Sequence, residues 1–221
     1  MSMGAATRDR ALEAAVDLLG EQGVRALSHA RVDERAGLPP GSTSNWFRTR
    51  RALLAGIVDW IADFDPAAMP TITGVDALVG GLCAMAELQT GPFAGRTRAR
   101  YALFLELAGD PDLAEPLRRQ RREFERWTQE IVTAVGIVDP VPATRALMAL
   151  GEGLLLHRLT VDPGLDLRPA IDRAVRALAQ TDHVTDVLQM EVVATDDAAD
   201  HAVGIAHLHH QRGDQRVGAT H

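Results

Sequence analysis

Residues 28–47 read Ser28-His29-Ala30-Arg31-Val32-Asp33-Glu34-Arg35-Ala36-Gly37-Leu38-Pro39-Pro40-Gly41-Ser42-Thr43-Ser44-Asn45-Trp46-Phe47, and the fold turns on this stretch. Ser28 is a good N-cap, because its hydroxyl can accept from an orphan N–H at a helix start. Leu27 before it can staple against Val32. Ala36-Gly37 ends that short helix, since glycine readily takes the left-handed conformation. Leu38-Pro39-Pro40-Gly41 then forms a rigid turn. Proline resists continuing one helix but is accepted in the first turn of the next. A third helix is expected from Pro40 to Phe47. Two short helices across a tight turn, after a preceding helix, make a helix-turn-helix plan. Alone the plan is weak, since any small helical bundle contains it.

Working outward, an amphipathic helix is expected from Arg8 to Glu21. Leu12, Ala15, Val16 and Leu19 stand at i, i+3, i+4 and i+7, and Gly23 stops it. Thr49 can cap a fourth helix, Arg50 to Asp63, with the stripe Leu53, Leu54, Ile57, Val58 and Ile61. Phe64-Asp65-Pro66 breaks it, and a linker runs to Gly74. A fifth helix carries Val75, Leu78, Val79 and Leu82 and stops before Thr90-Gly91-Pro92. The sixth spans Arg96 to Ala108, and Asp110-Pro111 opens a seventh that ends at Gly136. Pro142 to Thr160 is an eighth, and Asp166 starts a ninth with Ile171, Val175 and Leu178 on one face. The fold class is therefore all-α: a three-helix helix-turn-helix domain and a larger helical bundle, about nine helices together. The expected division is 1–64, 65–180, and an acidic, His-containing tail at 181–221 whose composition points to disorder.

Composition limits the alternatives. The chain has 221 residues, 46% hydrophobic, with 4% aromatic and a single cysteine, Cys83. One cysteine forms no internal disulfide and no cysteine metal cluster, and Cys83 reads as a small buried hydrophobe. No apolar run reaches the length of a membrane span and residues 1–10 do not resemble a secretory signal, so a cytoplasmic location is expected. Every basic side chain is arginine. Schiff-base chemistry and a P-loop lysine are thereby removed. Without a nucleophile–base motif or a credible metal cluster, an enzyme is not expected, and neither is a cofactor. His207, His209 and His210 lack the helix-held spacing of a zinc site.

The net charge of −7 is unevenly spread. Residues 25–51 hold six arginines against two acids, Asp33 and Glu34, whereas residues 181–221 hold seven acids against two arginines. Arg31, Arg50 and Arg51 stand in first turns of helices, next to the partially positive ends. A DNA phosphate would satisfy both the arginine and the helix start; solvated arginines with carboxylate neighbours are the alternative. The third helix is uncharged and rich in Ser, Thr and Asn, which can reach base edges or phosphates. Such residues also serve as ordinary turn caps.

From Arg8 to Ile61 the sequence resembles the DNA-binding domain of the tetracycline-repressor (TetR) family. Ser28 stands at the usual hydroxyl start of helix two. Ala36-Gly37-Leu38 matches the turn, and Gly41 to Phe47 the recognition helix. Arg50 stands where the family usually has a lysine, followed by Leu53-Leu54. Three positions depart: Ser44 for the usual tyrosine, Thr43 for leucine and Asp33 for alanine. The resemblance implies DNA contacts from Ser28, His29, Arg31, Pro40, Ser42, Ser44, Asn45, Trp46 and Arg50. It also implies a homodimer on double-stranded DNA, paired through Pro142–Thr160 and Arg168–Ala179, and a small-molecule effector pocket among the middle helices. Expected pairing residues are Leu147, Leu150, Gly151, Leu154, Leu155, Ile171, Val175 and Leu178. Expected pocket residues are Met85, Tyr101, Phe104, Glu106, Trp127 and His157, for an apolar or amphipathic effector. The function implied is a sequence-specific transcriptional regulator, a repressor, that binds palindromic operators as a dimer and is released by an effector. A helical ligand-binding or interaction module that has lost DNA binding is the second reading, kept open by Ser44 and Asp33.

Overall fold

A computed structural model describes residues 3–62 and 71–180. All regular structure among them is helical: α1 (Met3–Gln22), α2 (His29–Ala36), α3 (Ser42–Trp46), α4 (Arg50–Ile61), α5 (Val75–Thr90), α6 (Ala94–Glu106), α7 (Pro111–Ala134), α8 (Pro140–Thr160) and α9 (168–180). The all-α expectation holds. No helix among the described residues is long and apolar enough to cross a membrane. The expected tail, 181–221 with its histidines, and part of the expected linker, 63–70, lie outside the described residues.

The capping chemistry works as the residue types require. The Ser28 hydroxyl accepts from the Arg31 N–H, Thr49 from Ala52 and Asp110 from Leu113. Gly37 takes φ 60°, ψ 38°, and its N–H and that of Leu38 return to carbonyls of the last turn. Several boundaries moved by a few residues, among them the sixth helix, which runs Ala94–Glu106 rather than Arg96–Ala108, and three of the shifts have a clear physical cause. α1 starts at Met3 rather than Arg8, since Ala5 and Ala6 favour helix and no residue there stops it. α3 starts at Ser42 rather than Pro40, because Gly41 at φ 88° is outside helical space. α8 starts at Pro140 rather than Pro142, so two prolines occupy its first turn, where no N–H is needed.

Two hydrophobic cores form. The first gathers Leu12, Leu19, Val32, Leu53 and Ile57 of α1, α2 and α4, and also Leu103 of α6 and Leu117 of α7. The core of the N-terminal helices is thus not closed at residue 64; the larger bundle completes it. The second core belongs to α5, α8, α9 and the later part of α7, with Leu78, Val132, Leu167 and Val175 fully buried. α1 crosses α6 so closely that a Cβ on Gly20 would stand 2.2 Å from the Gly95 carbonyl oxygen.

Arginines finish the ends of several helices. Arg10 donates to the Ala36 carbonyl at 2.7 Å, Arg98 to Gly20 at 3.1 Å, and Arg96 to Trp60 and Ile61 at 3.1 and 3.3 Å. Each places a cation at the negative end of a helix and satisfies carbonyls that have no intrahelical donor.

Candidate nucleic-acid interface and effector cavity

A five-residue helix cannot persist alone, because nucleation costs more than so few bonds return. α3 is held from outside at both ends. At its start, the Asp33 carboxylate of α2 accepts the Gly41 N–H at 2.8 Å, the Thr43 N–H at 2.8 Å and the Thr43 hydroxyl at 2.5 Å. Asp33 is 3% exposed and Thr43 is fully buried. Burial pushes the Asp33 carboxyl up, but the bonds from Thr43 and Gly41, with His29 nearby, outweigh it and leave the group below its ordinary value. At the far end, Phe47 is buried and its carbonyl accepts a hydrogen bond from His29 Nε2 at 2.6 Å. The Phe47 ring lies so close to α4 that a Cβ on Gly56 would meet it at 2.4 Å. Arg8 covers the ring, 5.8 Å from its centroid.

This pinning turns the remaining face of α3 outward. Ser44, Asn45 and Trp46 are exposed and Ser42 is half-exposed. The Ser42 hydroxyl donates to the Pro39 carbonyl at 2.6 Å and the Ser44 hydroxyl to Gly41 at 2.9 Å. Asn45 and the 47%-exposed Trp46 are the side chains left to project. Pro40 is exposed in the turn, and Ser28 is engaged as the N-cap of α2.

The arginines divide differently. Arg31 donates to the Ala26 carbonyl at 3.1 Å and to Gln22. Arg50 donates to the Val24 carbonyl at 2.7 Å, Arg35 pairs with Glu21, and Arg51 with Asp110. Arg48 is exposed and has no hydrogen-bond or ion-pair partner among the described residues. It lies between the C-cap of α3 and the N-cap of α4, and sequence reasoning passed over it. The usable signal was its place in the connection, where no acid stands at helical spacing to claim it.

A cavity of about 450 Å³ opens among α5, α6, α7 and α8. Met85, Phe104 and Trp127 line it. Tyr101, Glu106 and His157 are not in the lining: Tyr101 is half-buried on α6, Glu106 is exposed at the end of α6, and His157 is exposed in the last turn of α8. A smaller cavity of about 240 Å³ shares Gln89, Phe93, Arg100 and Gln120 with the large one and reaches Ile61 at the end of α4. Gln120 donates to the Ile61 carbonyl at 3.2 Å. Of the residues expected to pair two chains, four are buried in the single chain and four are half-buried. Leu147, Leu155, Ile171 and Val175 are buried within the chain, Leu150, Gly151 and Leu154 line the cavity, and Leu178 packs on the second core. The area of the four buried side chains is not available to a second chain.

Among the described residues, no cluster of three or more His, Cys, Asp or Glu side chains could hold a metal ion. Residues 73–181 match the family model described as the tetracyclin repressor-like C-terminal domain. A comparison with curated protein sequences gives no match. Among solved structures, the chain is similar to a transcriptional regulator from Rhodococcus sp. Rha1, at 21% identity and a TM-score of 0.62, covering 78% of this chain and 96% of that one. It is similar to a TetR-family member from Streptomyces coelicolor A3, at 23% identity and 0.58, covering 79% and 99%. The multidrug binding protein EbrR, complexed with proflavin, matches at 25% identity and 0.53, covering 78% and 99%.

Proposed function

The chain belongs to the tetracycline-repressor (TetR) family, and from that premise we propose that it is a sequence-specific transcriptional repressor, binding a palindromic operator as a homodimer and released by a small-molecule effector. The observation that carries this reading is the pinned α3. A short uncharged helix, fixed at both ends by buried groups and showing Asn45 and Trp46 to solvent, suits a groove-reading element better than a core one. Asn45 is the candidate for a base edge, and Arg48 for a phosphate. Arg31 and Arg50 would first have to leave protein acceptors.

Arg48→Ala is expected to weaken binding to all sequences alike and to lower the salt slope by about one, as loss of one phosphate contact does. Asn45→Ala is expected to relax sequence preference, with a cost of about 1–3 kcal/mol confined to the cognate site. Fluorescence anisotropy of labelled duplexes over a salt series separates the two effects.

The homodimer is proposed to form on the outer side of α8. Ala146, Ala149, Gly153, Leu156 and Thr160 stand at spacings of three and four, and all are exposed. Leu156 is 48% exposed, and a Cβ on Gly153 would meet open space, so nothing within the chain calls for glycine there. Glycine in a helix costs about 1 kcal/mol relative to alanine, which close approach of a second α8 would explain. Leu156→Arg is therefore expected to convert a dimer into a monomer at micromolar concentration. Sedimentation velocity reads this directly, and a variant that stays dimeric would place the seam elsewhere.

Support for effector control lies in the path from the cavity to the reading head. Gln120 lines both cavities and donates to the carbonyl that ends α4, where Arg96 also donates. A ligand that binds one arrangement of these groups better than the other would shift α4, and with it the spacing of two α3 helices. The multidrug binding protein EbrR is complexed with proflavin in one solved structure and with ethidium in another, which supports a small molecule as the occupant of the cavity.

A ligand-binding module without DNA function is the second reading, and one observation favours it. The Asp33 carboxylate occupies the start of α3, the end that would otherwise attract a phosphate. Retention of DNA from a random pool, measured at moderate salt, distinguishes the two.

A further inference from the structure

The large cavity is walled mostly by apolar side chains, among them Phe104, Trp127, Leu147 and Leu154, but its charges do not cancel. Arg100, Arg121 and Glu152 line it, so two cations face one anion and the net charge is +1. Glu152 is already committed, accepting from Arg121 at 2.8 Å. Arg100 donates to the neutral Gln89 at 3.0 Å and lies over the Tyr101 ring, 5.4 Å from its centroid. No carboxylate stands within ion-pair distance of Arg100 among the described residues. Beside it the Tyr101 hydroxyl is buried and makes no hydrogen bond. Burial first, then the neighbouring Glu152, pushes that phenol up from its ordinary value, so it stays a protonated donor. Of the charged groups that line the cavity, Arg100 is therefore the one without a charged partner among the described residues.

We propose that the ligand is an anionic amphiphile, a single carboxylate or comparable monoanion on an apolar body, with its head group on Arg100. The proposal rests on the reading that this cavity takes an effector, and adds its chemical class. A guanidinium receives a carboxylate through two parallel N–H bonds, and the attraction is stronger in a partly desolvated site than in water. A cationic ligand would meet the uncompensated Arg100 while the one lining carboxylate is held by Arg121. A neutral ligand would bury the guanidinium without a counter-charge. The volume of about 450 Å³ lies within the ordinary range for small-molecule sites. Arg100 also lines the smaller cavity, so the head group would settle beside Gln120 and its bond to Ile61.

The test is calorimetric titration of the full chain, without DNA, with decanoate, decanol and decylammonium below their micelle concentrations. Decanoate is expected to bind about tenfold or more tightly than either of the others, the factor that about 1.4 kcal/mol provides. Arg100→Gln is expected to bring decanoate down to the affinity of decanol, with decanol itself unchanged as a check that the cavity is intact. Arg100→Lys is expected to keep most of the preference. Equal or tighter binding of decanol or decylammonium by the native chain, which needs no variant to fold, would overturn the proposal, as would binding of none of the three or a preference that survives Arg100→Gln. A decanoate preference without any release of selected DNA would leave the ligand class standing and overturn the regulatory reading. DNA release by decylammonium alone would do the reverse.

Discussion

Asp33→Ala is expected to abolish sequence-specific DNA binding while leaving a folded, helical protein. The substitution removes three hydrogen bonds at once and strands the Gly41 and Thr43 N–H groups. Bonds to a charged acceptor are worth about 1.5–3 kcal/mol each, and stranded buried donors add their own cost. These losses are not additive, and a total of about 3–5 kcal/mol is expected. The loss falls on α3, which contributes little else to the core, so this helix should fray before the domain unfolds. Affinity for a selected operator should drop by more than about 100-fold, equivalent to roughly 3 kcal/mol. Thermal melting and anisotropy measured on the same sample would show the modest and the large effect together. The same group predicts a pH dependence. Its folded-state pKa lies below its unfolded value of about 3.9, so its contribution is complete above that value. It is lost as pH falls through the lower folded value, so recognition by α3 should fail in acid and be indifferent to pH near neutrality.

Phe47→Ala is expected to cost about 3–5 kcal/mol, the usual range for emptying a buried aromatic site. The ring is 6% exposed and fills the space left by the missing side chain of Gly56. α4 cannot close that gap easily, because its N-terminal end is fixed by Thr49 and its C-terminal end by Arg96 and Gln120. The Phe47 carbonyl, which holds His29, would lose its fixed position as well. A Phe47→Leu variant should recover more than half of the loss. The check is chemical denaturation: a midpoint that falls with an unchanged slope marks a lost packing contact rather than an altered unfolded state.

What could be read from the sequence was whatever depends on local spacing. The stripe Leu53, Leu54, Ile57, Val58 and Ile61 predicted both α4 and its buried face, because a helix of fixed period leaves no freedom there. Ser28, Thr49 and Asp110 marked helix starts, because a cap acts within three residues. What could not be read were choices made over long separations. Arg50 and Arg48 differ by two positions, yet Arg50 folds back on the Val24 carbonyl and Arg48 stays in solvent. Asp33 and Thr43 looked like two separate departures from the family pattern. They are one: a carboxylate and a hydroxyl facing each other across the turn, with each requiring the other. The leucines of α8 were expected to pair two chains. An apolar stripe says that a face is buried without saying by what, and Leu147 and Leu155 are covered by their own chain.

The central claim is that the pinned, outward-facing α3 reads DNA, and recovery of bound duplexes from a random-sequence pool tests it most directly. The native chain, run in parallel with Asp33→Ala, is predicted to enrich an inverted repeat whose half-sites lie one helical turn, about 34 Å, or a multiple of it apart. The Asp33→Ala chain is predicted to enrich nothing. Recovery of no common sequence by the native chain, or of the same sequence by both chains, would contradict it.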